Sequence, residues 1–597
     1  MSARIQQAAP AGATPSAART EARVLRRVAL VAAAAAVVTR VPFAARRLWD
    51  HDSVQFALGV EKYDLAAHHP HPPGYPLYIA ALKLLAMLGV DSLHGMVALS
   101  ILATALGAAL IVPLTARLAS AAAERGMPAA GHAGLATDAG VAGPGSDAGL
   151  ASDAGVAGDV SHGLGARAVG AGALAAALFV FNPLLWFYGE LPLVYAVEGG
   201  MTVGLAYAAL SMADGRAPFL TACAAFALAG GVRPSTLVLL LPLFLLGAWH
   251  AWRRGAAAGT MAAGAAVGAA VGLAWLAPLL AAAGGLAAYR RIASEHFSAL
   301  LPYTSILYGA GWKALAHNLT IMTKWFLQGL VPAAVALGAL WLPFPRRRAA
   351  AGFRLVAAAL PWLAAWAVPP ILFFALFHVT KAGYTLIYLP ALLVAASLLG
   401  APAMAGRRGR RAAAAILLAA LTGAGLFLFG ADRRPDQPRA LAVVRNELNR
   451  AAITTYERDL DALLAALRRL PASTTVLATV ELSGTGPAGP EGFLYPWQRH
   501  LQWYLPGYEV LHLVPEEGLV FVTRGHLPFH REGPRLELPA DTRKLAIVLS
   551  GPTGDRFPLS AWPLRRIGDT FYLVVVPIQE GLRLGPYTFA VPHCHAA

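Results

Sequence analysis

Charged residues and cysteines are scarce in this chain. Only 13% of its 597 residues are Asp, Glu, Lys or Arg, whereas 57% are hydrophobic. Soluble domains carry about 25% charged residues, so this composition excludes an ordinary soluble protein and indicates a polytopic membrane protein. The two cysteines, Cys223 and Cys594, are too few to form a cysteine metal site or a disulfide framework.

Acidic residues are also fewer than basic ones, which gives a formal net charge of +16. The arginines cluster between apolar runs, at 253–254, 346–348 and 407–411. Such clusters are typical of cytoplasmic loops under the positive-inside rule. The positive charge therefore requires no nucleic-acid partner, and it indicates which loops face the cytoplasm.

Apolar stretches of about 20 residues recur between residues 28 and 430 and predict about eleven transmembrane helices in a lipid bilayer. One short run, 75–90, could either cross the membrane or lie on its surface as an amphipathic helix. Only the interfacial alternative places the arginine clusters inside. The predicted topology has a cytoplasmic amino terminus and an extracytoplasmic carboxyl-terminal domain.

Composition divides the chain into three parts around the membrane module 28–430. Residues 1–27 are predicted to be a disordered cytoplasmic tail, and 120–167, rich in Ala, Gly and Asp, a disordered cytoplasmic insert. Residues 431–597 contain one helical pattern and several strand-like runs, such as TFYLVVVPI. They predict a soluble α/β or mostly β domain.

The first loop, residues 46–95, has the composition of a reaction site. Its stretch WDHDSVQFALGVEKYDLAAHHPHPPGYPLY, at 49–78, holds four acids and four histidines and is too polar to cross a bilayer. It closes on Pro72-Pro73-Gly74, which a helix cannot traverse without a break. Acids and imidazoles held beside a membrane by this corner are suited to catalysis.

Two features of this loop resemble the GT-C membrane glycosyltransferases, in particular the protein O-mannosyltransferase-like and aminoarabinose-transferase-like families. They are an acid near the start of the loop, Asp52 in HDSVQFA, and the closing His71-Pro72-Pro73 in HPPGYPLY. The similarity covers about residues 28–240. It implies a GT-C-like bundle and an inverting hexosyl or pentosyl transferase. It also implies a polyprenyl-phosphate sugar donor, used at the outer face of a bacterial inner membrane.

The resemblance leaves the acceptor open between a protein, a lipid and a glycan. Where related bacterial families carry Glu-Val-Tyr after the third span, this chain has Leu193-Val194-Tyr195, with Glu190 about one helical turn earlier and Glu198 just after. The same segment lacks the Asp-x-Asp of metal-dependent oligosaccharyltransferases. No metal and no other cofactor is therefore predicted.

Sugar transfer from a lipid phosphate requires a base for the acceptor proton and a cation for the departing phosphate. Asp52 is the first candidate for the base and Asp50 the second; the alternative is that both are solvated loop acids. Because a carboxylate at the membrane boundary is partly desolvated, we expect its pKa to be raised.

Arg233 is the candidate phosphate-binding cation, because a cation between apolar spans on the outer side is costly without an anionic partner. The alternative is a fixed salt bridge to Glu190 or Glu198. Lys381 is a second phosphate candidate, and Tyr384 belongs either to a sugar platform or to an interfacial aromatic belt. The full set of substrate-binding candidates is His69, His71, Tyr75, Glu190, Glu198, Arg233, Lys381 and Tyr384.

Two other functions are compatible with a polytopic chain. A secondary transporter would show internal repeats with paired broken helices, yet the HPPGY motif occurs once. A non-catalytic polysaccharide-assembly protein could retain the same scaffold. A transferase requires Asp52, Arg233 and Lys381 to converge on one outward cavity that is also open sideways to lipid; a separation of more than about 20 Å between them would exclude a shared reaction centre.

Overall fold

The structure is a computed structural model consisting of a helical bundle and a carboxyl-terminal domain built on a β-sheet. It describes residues 15–126, 150–342, 346–379, 381–404, 409–430, 448–480, 497–515, 518–527, 530–550, 559, 561–578 and 582–592. The bundle helices in these ranges are α1 Pro15–Arg40, α2 Asp50–Glu61, α3 Pro76–Met87, α4 Ser92–Gly126, α5 Leu150–Val180, α6 Pro183–Glu190, α7 Tyr195–Ser211, α8 Arg216–Val232, α9 Pro234–Leu239, α10 Leu241–Arg253, α11 Ala258–Ala282, α12 Leu286–Thr304, α13 Gly311–Trp341, α14 Arg346–Leu376, α15 Leu389–Gly400 and α16 Gly409–Leu428.

Within the described ranges, five helices are long and apolar enough to cross a bilayer. They lie in α4, α11, α13, α14 and α16, and the pair α5–α6, bent by 53°, adds a sixth when counted as one span. Other predicted spans are interrupted: the apolar run 235–252 is divided at Leu240 between α9 and α10. The count of eleven spans stays a prediction.

Helix α4 is a central element of the bundle and packs against α1, α5 and α7. Its approach to α7 is very close, since a Cβ on Gly200 would lie only 2.1 Å from the carbonyl oxygen of Ala103. Small residues permit such contacts between apolar helices, where dispersion and not the hydrophobic effect drives association in lipid. This packing fixes α7, which carries part of the candidate site.

Two segments predicted to be disordered are helical where the structure describes them. Helix α1 begins at Pro15, so it includes half of the predicted tail 1–27. Helices α4 and α5 extend into the insert 120–167 as far as Gly126 and from Leu150 onward. The reason is composition, because alanine has the highest helix propensity even where a segment buries little. Residues 1–14 and 127–149 lie outside the described ranges.

The short run 75–90 forms α3, a helix of 12 residues. At 1.5 Å per residue it is about 18 Å long, which is too short to cross a hydrocarbon core of about 30 Å. Its length therefore agrees with the interfacial assignment, and its depth in the bilayer stays a prediction.

The carboxyl-terminal domain combines two helices with a mixed sheet. Its elements are α17 Arg450–Leu467, α18 Gln498–Tyr504, β1 Thr475–Val480, β2 Glu509–Val514, β3 Leu519–Arg524, β4 His530–Glu532, β5 Arg535–Glu537, β6 Lys544–Ser550, β7 Arg565–Ile567, β8 Phe571–Pro577, β9 Leu582–Leu584 and β10 Tyr587–Ala590. The main sheet has the order β4-β3-β2-β1-β6-β8-β7, and β5-β10-β9 form a second sheet. Of the two predicted alternatives, the α/β description fits.

Strand β1 lies at the centre of this domain and pairs in parallel with both β2 and β6. All six of its residues are buried. Val476 and Ala478 face the second sheet, whereas Leu477 packs with leucines of α17. Burial on both faces explains why the run TVLATV is nearly continuously apolar instead of alternating.

Candidate active site

Helix α2 carries the candidate acids at its amino-terminal end. The sequence predicts a loop over 46–95, but residues Asp50–Glu61 are helical. Asp50 and Asp52 occupy the first turn, where carboxylates interact favourably with the helix dipole. Both are buried, with 6% and 8% of their surface exposed, so the alternative of solvated loop acids does not hold.

Lys381 lies between the two acids. Its Nζ is 2.5 Å from Oδ2 of Asp50 and 2.5 Å from Oδ2 of Asp52. On the opposite side, His51 places Nδ1 2.7 Å from Oδ1 of Asp50 and Nε2 3.0 Å from Oδ1 of Asp52. One ammonium group and one imidazole therefore face the four carboxylate oxygens.

This arrangement determines the charge of Asp52. Burial alone raises the pKa of Asp52, but the neighbouring Lys381 and His51 lower it by more, so the pKa lies well below its usual value. The expectation of a raised pKa was wrong, because it considered desolvation without a cation. Lys381 is 329 residues away in sequence, and no spacing pattern connects the two.

His71 lies beside the acid pair and contacts Gln55 and Tyr75. Its Nδ1 is 2.7 Å from Oε1 of Gln55, and its Nε2 is 3.0 Å from Oη of Tyr75. Burial lowers the pKa of His71 to about 3, so the ring is neutral at pH 7. The neutral ring satisfies both contacts when Nδ1–H donates to Gln55 and Nε2 accepts from the Tyr75 hydroxyl. Nδ1 is also 4.0 Å from Oδ1 of Asp52.

A third group contains Arg233, between α8 and α9. Its Nη1 donates to Oε2 of Glu198 at 2.5 Å, and the Thr236 hydroxyl donates to Oε1 of the same carboxylate. The guanidinium also lies over two aromatic rings, 5.6 Å from the centroid of Tyr195 and 5.1 Å from that of Tyr384. The alternative of a fixed salt bridge to Glu198 is thus present in the structure. The Nε of Arg233 is buried and has no hydrogen-bond partner among the described residues.

Tyr195 connects the acid cluster to the arginine group. Its hydroxyl donates to Oδ2 of Asp52 at 3.5 Å, a long contact, while its ring lies beneath Arg233. Lys381 contacts the same Asp52 oxygen. Asp52, Arg233 and Lys381 therefore belong to one contiguous group of side chains. Tyr384 belongs to the same group, with its ring centroid 5.4 Å from that of Tyr195.

Two predicted residues make their contacts elsewhere. Glu190, the last residue of α6, is fully buried beside Arg40. Glu198, instead of Glu190, is the acid beside Tyr195 and Arg233. His69 is buried with its Nε2 3.3 Å from Nη1 of Arg499 in the carboxyl-terminal domain.

Sequence reasoning assigned no role to His51, Gln55, Tyr195 or His296. A signal existed for Gln55, since on a helix it lies one turn after His51 and Asp52 and shares their face. His296 packs its ring 5.3 Å from His68 and 6.0 Å from His71, measured between centroids. More than 220 residues separate it from them, so only the fold reveals that contact.

Among the described residues, Asp50, His51 and Asp52 are the group whose ligand atoms lie close enough to hold a metal ion, within 4.8 Å of one another. The ammonium of Lys381 already contacts one oxygen of each acid. A cation bound there would have to displace or repel it. Lys381 thus occupies the place beside the acids that a metal cation would take.

The apolar helices define an integral, multi-pass membrane protein, and a cluster of buried polar side chains lies among them. Residues 62–255 match the family model of the protein O-mannosyl-transferase TMEM260 N-terminal domain. This match confirms, for that segment, the resemblance to the protein O-mannosyltransferase-like families. The segment includes His71, Tyr195, Glu198 and Arg233, whereas Asp52 precedes it.

Two solved structures of ArnT from Cupriavidus metallidurans align with the chain. The one bound to undecaprenyl phosphate has a TM-score of 0.46 at 13% sequence identity, over 92% of this chain and 97% of that chain. The apo structure has a TM-score of 0.41 at 12% identity, with the same coverage. None of the curated proteins compared matches this chain.

Proposed function

We propose that this chain is a membrane glycosyltransferase that moves a sugar from a polyprenyl-phosphate donor to an acceptor hydroxyl at the outer membrane face. The match of residues 62–255 to an O-mannosyl-transferase domain carries the proposal. The convergence of Asp52, Lys381 and Arg233 through Tyr195 supports it, because it brings an acid and two cations to one place.

Asp52 is the proposed base. Its lowered pKa keeps it deprotonated at pH 7, so it can accept a hydrogen bond from the acceptor hydroxyl and receive the proton as the new glycosidic bond forms. Lys381 offsets the charge of the acid pair and orients it. We therefore assign Lys381 to the base and no longer to the phosphate.

Arg233 is the proposed cation for the phosphate that departs from the sugar. Glu198 holds one end of the guanidinium, while the buried Nε remains available to donate to an oxygen of the leaving group. Glu198 then acts on Arg233 instead of on the substrate. The guanidinium lies over the rings of Tyr195 and Tyr384, and these contacts restrict its position.

The test is Asp52→Asn, which keeps the size of the side chain but removes its basicity. Loss of a general base lowers rates by about 10²–10⁴-fold, and the protein amount should stay normal. The assay measures sugar transfer in membranes from a panel of polyprenyl-phosphate sugars, normalised to protein, with Asp50→Asn expected to be milder.

Asp214→Asn is the matched control, since Asp214 pairs with Arg117 at 2.8 Å in a different part of the bundle. It should retain transfer. Full activity of Asp52→Asn would remove the proposed base, and no transfer by the wild-type chain from any donor would contradict the function itself.

A further inference from the structure

The carboxyl-terminal domain holds the backbone just before the acids. The Leu48 N–H donates to Oη of Tyr504 at 2.8 Å, and the Tyr456 hydroxyl donates to the Leu48 carbonyl at 3.0 Å. Tyr456 lies on α17 and Tyr504 at the end of α18. Both backbone groups of this buried residue are thus satisfied by side chains more than 400 residues away in sequence.

His500 contacts both partners of the hydrogen bond between Tyr456 and Leu48. Its Nε2 is 2.7 Å from Oη of Tyr456 and 3.2 Å from the Leu48 carbonyl. Burial lowers the pKa of His500 to about 4, so the ring is neutral at pH 7. An Nε2–H donating to Tyr456, which in turn donates to Leu48, satisfies Nε2, the hydroxyl and the carbonyl.

Trp49, the next residue, is held between the two parts of the molecule. Its ring centroid lies 4.3 Å from that of Tyr456 in the carboxyl-terminal domain and 5.5 Å from that of Phe187 in the bundle. Buried aromatic contacts of this kind contribute beyond their area and fix the ring position.

Asp50 follows directly and has a backbone φ of +62°. A non-glycine residue in this left-handed region costs free energy and persists only when its surroundings determine its conformation. The residues that determine it on the amino-terminal side are Leu48 and Trp49, and these are held by the carboxyl-terminal domain.

We propose that Tyr456, His500 and Tyr504 are positioning residues, through which the carboxyl-terminal domain holds α2 and so sets Asp50 and Asp52 against Lys381. The three residues act on the acids through the backbone of Leu48 and the ring of Trp49. Their importance for catalysis rests on the proposed function, but the holding of α2 can be measured without it.

The test is Tyr456→Phe in the full chain, which removes the hydroxyl but keeps the ring beside Trp49. Amide hydrogen exchange over residues 48–56 should become about fivefold faster, as expected for the loss of a buried hydrogen bond. The kcat for sugar transfer per folded protein should fall about tenfold, with the donor KM within about twofold, because misplacement of the acids affects chemistry more than donor binding.

The control is Tyr508→Phe in the same domain. Its hydroxyl donates to the carbonyls of Leu467 and Leu470 within the domain, at 3.1 and 2.6 Å. It should change neither exchange at 48–56 nor kcat. Tyr504→Phe is a second variant in case Tyr456→Phe does not fold, and it should act in the same direction.

The two proposals fail in different ways. If the wild-type chain transfers no sugar but Tyr456→Phe still exposes residues 48–56 to exchange, the function is wrong and the holding of α2 is supported. If the wild type transfers sugar while Tyr456→Phe and Tyr504→Phe match it in both exchange and kcat, the positioning role is overturned.

Discussion

Lys381 controls the charge of the candidate site at the scale of single residues. It supplies one positive charge to two buried carboxylates, and its own side chain is only 9% exposed. In such surroundings the pKa of Asp50 is also lowered: burial raises it, but Lys381 and His51 together lower it by more. Lys381 is the larger of these two opposing contributions, so the ionised state of the acid pair depends strongly on this ammonium.

Lys381→Met should destabilise the protein strongly. Removing one partner of a buried ion pair typically costs about 3–5 kcal/mol, and here it leaves two carboxylates facing each other. We expect a lower Tm of the purified protein in detergent. Adding Asp50→Asn should recover part of the loss, because one of the unpaired charges is then gone. A single variant as stable as the wild type would contradict the arrangement.

The sequence allowed candidate site residues to be named, but it did not reveal which of them contact each other. Asp52 was selected from the polar first loop, Arg233 and Lys381 were selected as charges beside apolar runs, and a salt bridge from Arg233 to Glu190 or Glu198 was one alternative. The pairing of Lys381 with Asp50 and Asp52 was not, since it depends on how distant helices pack. The same cause led to the wrong direction for the pKa of Asp52.

At the scale of elements, the contact of α4 with α7 positions Tyr195 and Glu198. A side chain at Gly200 would meet the backbone of Ala103, which cannot move aside as a flexible side chain can. Gly204, one turn further along α7, has more room: its Cβ would lie 3.6 Å from Cδ1 of Leu110, an ordinary contact.

Gly200→Ala should therefore separate α4 from α7, whereas Gly204→Ala should be nearly neutral. Overpacking of a tight contact costs about 1–3 kcal/mol, and sugar transfer should fall with it because Tyr195 and Glu198 are on the displaced helix. The measurements are Tm in detergent and transfer per folded protein. Equal behaviour of the two variants would show that the helices are not in close contact.

Periodicity and composition located the apolar elements but not their ends. The polar stretch after α1 was assigned to a loop because it is too polar to cross a bilayer, yet part of it forms α2, most of whose residues are buried. The alanine-rich tail and insert were assigned to disorder from their composition, although alanine favours a helix on its own. Polarity excludes a membrane span but does not exclude a helix.

At the scale of the whole molecule, the carboxyl-terminal domain rests on the segments that flank α2. Arg47 pairs with Asp461 at 2.6 Å, and Glu61 lies 2.5 Å from Nδ1 of His526. These pairs are exposed and contribute little stability by themselves. They show, however, that the first loop and the domain must be on the same side of the membrane.

A topology test follows from this contact. A reporter fused after Ala597 and a cysteine at the exposed position Ala66 should both report the extracytoplasmic side. Ala66→Cys is labelled with a membrane-impermeant maleimide in intact cells, in a chain whose Cys223 and Cys594 have been replaced. A cytoplasmic signal from both would reverse the predicted orientation, and opposite signals would contradict the docked domain.

The contact between Tyr456 and Leu48 can form only late in synthesis of the chain. These residues are 408 positions apart, and ribosomes add about 5–20 residues per second, so roughly 20–80 s pass between their synthesis. During this interval both acids, and later Lys381, are already in the membrane while α2 has no anchor. On the proposed mechanism a nascent or truncated chain lacks a fixed base, and we expect sugar transfer to begin only after the last quarter of the chain has been made and folded.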